Sequence, residues 1–159
     1  MEELSKKLNC HPVIANLLLQ RGITSSEQAQ SFFYPSLNML HDPFLMKDMD
    51  KAVERLDRAI AQDEKILIYG DYDVDGTTAV SLLYKYLKHH CNSDNLEYYI
   101  PDRYTEGYGV SIKGIDYAAE NGFSLMLITD CGIKAVEKVK YANSRQVDII
   151  ICDHHTPGD

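Results

Sequence analysis

The sequence predicts an α/β protein: an open, mainly parallel sheet with helices on both faces, preceded by a small helical N-terminal region. Two observations carry this. From residue 65 onward, short continuous apolar runs alternate with amphipathic stretches of about a dozen residues, the pattern of βαβ units whose strands are buried on both faces. Before residue 46 there is helix punctuation but no such run. The expected regions are therefore 1–45, helices and a linker, and 46–159, the sheet domain.

Each element has its own reason. "HPVIANLLLQRG" sets Pro12 near a helix start and Gly22 just past its end. "TSSEQAQSFFYP" offers a capping box from Thr24 to Glu27 and stops at Pro35. "SLNMLHDPFL" reads as an irregular linker. In "MDKAVERLDRAI", Met49, Ala52, Val53, Leu56, Ala59 and Ile60 share one helical face. Strands are expected at 65–70, 96–101, 124–130 and 147–153, with helices at 77–90, 111–122 and 134–144 between them.

Composition narrows the class. The chain has 159 residues, 45% hydrophobic and 25% charged, the balance of a soluble globular domain. No apolar run approaches the ~20 residues of a membrane span, and the N-terminus has no secretory apolar stretch. Cys10, Cys91, Cys131 and Cys152 are scattered without a CxxC pair, against a structural zinc site or a disulfide framework, and a reducing cytoplasm is the simplest setting. The net charge of −8 lacks the basic footprint of a free-standing nucleic-acid binder. Either the substrate is not a nucleic acid, or bound metal and a further part of the protein supply the positive charge.

Three of the expected strands run into polar residues. The first meets Asp71, Asp73 and Asp75 in "GDYDVDG"; the third meets Asp130, then Cys131 and Gly132; the fourth meets Asp153, His154 and His155. In open parallel sheets, ligands bind beyond the carboxyl ends of the strands, so all three clusters fall on one edge. Crowded carboxylates repel unless cations are present. Carboxylates with imidazole suit Mn²⁺, whereas Ca²⁺ and Mg²⁺ prefer all-oxygen shells. Two metals ~3.5–4 Å apart would clamp a phosphoryl group for in-line attack. "GDYDVDG" also opens like an EF-hand loop, but the twelfth position, which must be Glu, is Leu82, and a strand rather than a helix precedes it. Taken alone, Asp130 also fits a helix N-cap, and Asp153 a strand-end turn.

At "GDYDVDG", "TDCGI" and "DHH" the chain resembles the DHH phosphoesterase superfamily. "YGDYDVDGTTAV" and "PDRYTEGYGV" narrow the resemblance to the RecJ type, 5′→3′ exonucleases specific for single-stranded DNA in repair and recombination. The resemblance implies a two-metal hydrolase using Mn²⁺ or Mg²⁺. Asp73 and Asp75 then resemble ligands, one to each metal, Asp130 the bridging carboxylate, and His154 a further ligand. His155 resembles the group that contacts the scissile phosphate or assists the leaving group, and Asp153 the group that orients the histidine pair. Asp71 would ligate a metal or hold the loop. Some relatives have a ligand histidine where this chain has Tyr69. Arg103 is placed to reach a substrate phosphate. By the same resemblance the partners are single-stranded DNA, and single-strand-binding or helicase proteins. Family members continue past "DHH" to another ligand aspartate and a basic substrate-binding domain. The expectation is a fragment of a longer protein, weakly active or inactive alone.

Other features receive plainer readings. His89 and His90 end a helix, where a cation is favourable. His11 and His41 flank prolines as loop residues, and Cys131 and Cys152 read as small core residues beside strand ends. Of eleven tyrosines, Tyr72 and Tyr108 lie near the acids; Tyr84 and Tyr86 read as helix packing. Two rival functions stay open: a DHH phosphoesterase acting on a small nucleotide or oligonucleotide, and a non-catalytic module that keeps the fold.

Overall fold

The computed structural model describes residues 2–158. Asp159, the last residue of the expected sheet domain, lies outside them. The chain divides into two compact units, Met1–Lys47 and Asp48–Asp159.

In the first unit, α1 (Glu2–Leu8), α2 (Pro12–Gln20) and α3 (Ser26–Phe33) close a small core of Leu4, Ala15, Leu18 and Ala29. His11 is the N-cap of α2: its ring accepts from the Val13 amide. The capping box of α3 lies one residue later than the sequence pattern placed it. Ser25 Oγ accepts from the Gln28 amide, and Gln28 Oε1 accepts from the Ser25 amide. Thr24 and Ser25 both donate their amides to Gln28, so Gln rather than Glu27 fills the reciprocal role. The linker contains two short 3₁₀ turns, Leu37–Met39 and Pro43–Leu45.

The second unit is a four-stranded, all-parallel sheet in the order β2-β1-β3-β4. The strands are β1 (Ile66–Gly70), β2 (Leu96–Tyr99), β3 (Leu125–Thr129) and β4 (Asp148–Cys152). In register, Gly70 lies beside Thr129, and Thr129 beside Cys152, so these three strands end level. Alternation along β1 buries both faces. Ile66 and Ile68 face α4 (Met49–Ala61) and α5 (Val74–Leu87), whereas Leu67 and Tyr69 face α6 (Ile112–Glu120) and α7 (Val136–Ser144). β1 and β3 are buried at every residue, which is why they read as continuous apolar runs.

The helix after β1 begins earlier than its apolar pattern indicates. Asp73 is the N-cap, with its carboxylate accepting from the Gly76 amide at 3.0 Å, and α5 starts at Val74. The first turn of this helix sits directly on the strand end. A Cβ at Gly76 would lie 2.4 Å from the Asp71 carbonyl oxygen, so only glycine permits the approach. "GDYDVDG" is thus a strand end fused to a helix start.

Candidate metal centre

Asp130 leaves β3 in the left-handed region, φ 60°, followed by Gly132 at φ 101°. Aspartate tolerates that region better than most residues, at a cost of about 1 kcal/mol. The amide of Asp130 still continues the β3–β4 ladder, donating to the Cys152 carbonyl at 3.0 Å. Its carboxylate is nearly buried and faces His154, whose Nε2 lies 3.0 Å from Asp130 Oδ1 and 3.6 Å from Asp75 Oδ2. Asp130, His154 and His155 each offer a donor atom, and these atoms lie within 4.8 Å of one another. Asp75, in the first turn of α5, stands at the edge of the same group.

Asp153 has a different job. Its side chain is buried, and its two oxygens accept from the Ile133 amide at 2.9 Å, the His155 amide at 3.1 Å and His155 Nδ1 at 2.7 Å. Burial alone would raise its pKa, but the Ile133 and His155 donors outweigh it and hold the carboxyl below its ordinary value. An ionised carboxylate cannot donate, so the Nδ1 of His155 carries the proton in this bond and Nε2 is the ring nitrogen left free of Asp153. The bond to Asp153 also raises the His155 pKa.

The acids near Asp130 are short of partners. Burial, then the charges of Asp75 and Asp73, raise the Asp130 pKa against the lowering effect of His154. Asp71 is 2% exposed, and among the described residues its Oδ1 is the buried side-chain polar atom with no hydrogen-bond partner. A buried, unsatisfied carboxylate oxygen costs about 1–3 kcal/mol or more, and a cation at the strand ends would relieve it. Mixed oxygen and nitrogen donors suit Mn²⁺, so the residues present fit a divalent transition metal. Cys131, beside them, is buried: burial first, then Asp71 and Asp153, push its thiol up to about 12. Cys152, expected in the core, is exposed, because β4 is an edge strand.

Arg103 and Tyr108 stand on the loop between β2 and α6. The Arg103 guanidinium lies 4.5 Å from the centre of the Tyr72 ring. Tyr72 meets Tyr108 edge-on at 6.5 Å, and Tyr108 meets His155 edge-on at 6.4 Å. Tyr108, Val110, Ile133, Lys138, Asp153 and His155 help to line a groove of about 450 Å³ beside the histidine pair.

Three residues of this region carry roles that the sequence pattern did not reveal. Tyr69, noted for standing where a ligand histidine occurs elsewhere, is fully buried. Its hydroxyl donates to the Gly109 carbonyl at 2.8 Å and accepts from the Ser111 amide at 3.0 Å, so it anchors the loop. Glu106, with a side chain 4% exposed, accepts from Tyr99, Ser111 and the Asp102 amide. Lys138 donates to the Val110 carbonyl. The signal for Tyr69 was the strand period, which puts it on the face of Leu67; nothing in the hydropathy marks Glu106 as buried.

The description "DHH family, N-terminal domain" matches residues 65–159, more than half the chain. The single-stranded-DNA-specific exonuclease RecJ of Bacillus subtilis (strain 168) is 42% identical over 158 residues, which cover 99% of this chain and 20% of that protein. The corresponding RecJ of Escherichia coli (strain K12) is 30% identical over 148 residues, 93% of this chain and 25% of that one. The chain thus spans about a fifth to a quarter of the length of these curated relatives. Among solved structures, an exonuclease RecJ bound to manganese superposes with a TM-score of 0.65 at 33% identity, covering 72% of this chain and 29% of that one. RecJ from Thermus thermophilus in complex with Mn²⁺ gives 0.69 at 26% identity, covering 99% and 21%. Residues that fold into a parallel sheet ending in acids and paired histidines are therefore also those that match by sequence, and the chain belongs to the DHH family.

Proposed function

We propose that this chain carries the metal-binding half of a phosphodiester hydrolase that removes nucleotides from the 5′ end of single-stranded DNA. The observation that carries the reading is the convergence of Asp130, His154 and His155 within 4.8 Å, with Asp75 beside them, at the ends of adjacent parallel strands. Support for the substrate comes from the relatives, named as exonucleases specific for single-stranded DNA.

On this reading Asp73, Asp75, Asp130 and His154 would hold Mn²⁺ or Mg²⁺ in a two-ion site, and Asp71, whose Oδ1 has no hydrogen-bond partner, would ligate a metal or hold the loop. The ions would neutralise phosphate charge and make water a stronger acid. Asp153 fixes the His155 ring, so Nε2 can exchange a proton with a phosphate or leaving oxygen. Arg103 supplies a planar fork for a substrate phosphate, and Tyr108 closes the groove beside His155. Residues 46–159 then form the catalytic region and 1–45 an accessory one. The finer proposal is that the chain alone turns over slowly, since its charge of −8 leaves most DNA-holding positive charge to be supplied elsewhere. The cellular setting would be DNA repair and recombination in the cytoplasm.

The test is a comparison of substrates with Mn²⁺ present. Nucleotide release from a single-stranded oligonucleotide, faster than from the same sequence as duplex and lost in Asp130→Ala, is the expected result. The acidic charge favours one rival, hydrolysis of a small nucleotide. Faster turnover of a cyclic dinucleotide or nucleoside bisphosphate than of single-stranded DNA would move the assignment there.

A further inference from the structure

We propose that Glu106 is the positioning residue of the substrate-facing loop: it sets where Arg103 stands against Tyr72 and where Tyr108 stands against His155. The inference rests on the phosphodiesterase reading for its consequence, but its geometry is independent of any ligand.

The loop is held from inside at two points. At one, the Glu106 carboxylate takes the Tyr99 hydroxyl at 3.0 Å, the Ser111 hydroxyl at 2.6 Å and the Asp102 amide at 3.0 Å. The Glu106 amide returns to the Asp102 carbonyl at 2.9 Å. Asp102 Oδ1 in turn accepts from the Tyr104 and Thr105 amides, so residues 102–106 form a closed turn with Arg103 on it. At the other point, the Tyr69 hydroxyl ties Gly109 and Ser111 to β1. Between the two, Gly107 and Gly109 adopt φ of 78° and 79°, and a Cβ at either would meet nothing within 4 Å. The glycines serve the turn, which swings Tyr108 outward to His155 and Tyr72. Arg103 and Tyr108 thus project on either side of a single buried carboxylate whose hydrogen bonds go to neither.

A glutamate this buried is unusual unless satisfied. Burial opposes its ionisation, but the Ser111, Asp102 and Tyr99 donors overcome burial and hold the carboxyl below its ordinary value. All three named partners donate. A glutamine of the same shape would turn an NH₂ group toward one of them, so a minimal change should release the turn.

The experiment has two arms on the 159-residue chain. Without ligand, the native chain should give a nuclear Overhauser contact between the Arg103 guanidinium and the Tyr72 ring. Glu106→Gln and the milder Tyr99→Phe should weaken or lose it while the native fold persists. With Mn²⁺, the affinity for a non-cleavable single-stranded oligonucleotide should fall roughly tenfold in both Arg103→Ala and Glu106→Gln, and no further in the double variant. Mn²⁺ affinity should be unchanged in all of them. An Arg103–Tyr72 contact that survives in Glu106→Gln, additive losses in the double variant, or a fall in Mn²⁺ affinity would each overturn the proposal. Oligonucleotide binding by the native chain that does not depend on Mn²⁺ overturns the phosphodiesterase reading alone, because the ligand-free arm still decides where Glu106 places Arg103.

Discussion

The two ends of the same sheet treat charge in opposite ways. At the amino ends of the strands, Arg55 of α4 donates to Glu64 at 2.7 Å and to Asp148 at 2.6 Å, and Ser124 donates to Glu64. Each of these acids has a cation or hydroxyl from the chain itself. At the carboxyl ends, Asp75 and Asp130 share one imidazole, His154, and one oxygen of Asp71 has no partner. Both ends are acidic; only one is satisfied. The closed pairs tie α4 to β4 and to the segment entering β1, as a chain does for its own stability. The open cluster holds repulsion that a cation would remove, as expected of the end proposed to hold the metal.

Four substitutions probe this contrast. The largest effect is expected from Asp130→Asn. It should cost roughly 100-fold or more in Mn²⁺ affinity by calorimetry, yet raise the metal-free melting temperature by roughly 3 °C, because a repelled, buried charge is gone. The opposite end should respond in the opposite sense. Arg55→Ala leaves Glu64 and Asp148 without their cation and should cost about 2 kcal/mol by urea unfolding, with Mn²⁺ affinity untouched. Asp153 is the exception at the carboxyl end, since its partners are all internal. Asp153→Asn should therefore leave Mn²⁺ affinity within about threefold of native, while nucleotide release falls about tenfold as the His155 ring is freed.

The smallest effect concerns acid. The Ser124 hydroxyl and then Arg55, against burial, hold the Glu64 carboxyl below its ordinary 4.5. A depressed carboxylate contributes stability that is fully present above the unfolded pKa and lost as pH falls through the folded one. Melting temperatures followed from pH 7 down to about pH 3 should fall more steeply in the native chain than in Glu64→Gln. Equal slopes would mean that the pair contributes nothing measurable.

The sequence carried the fold because β1 and β3 are buried on both faces, so "ILIY" and "LMLIT" had no room for charged residues. It carried the convergence of acids because parallel strands separated by helices place all their carboxyl ends on one edge. It did not carry the start of α5, where Asp73 serves as N-cap while the apolar spacing begins later. Nor did it reveal the loop anchors. Glu106 is buried by partners that lie before and after it in the chain, Tyr99 and Ser111, and hydropathy scores a glutamate as exposed wherever it sits. Tyr69 was legible as the residue standing where a ligand might, but its hydroxyl bonds to a segment about 40 residues later, which no local pattern encodes.

If the open charge at the carboxyl ends belongs to a metal, the melting temperatures of the native chain and of Asp130→Asn, each with and without Mn²⁺, must diverge. Mn²⁺ should raise the native value in a concentration-dependent way, as binding to the folded state alone requires. Asp130→Asn should start higher and not respond. Equal Mn²⁺ responses in the two chains would contradict the assignment of that charge to a metal.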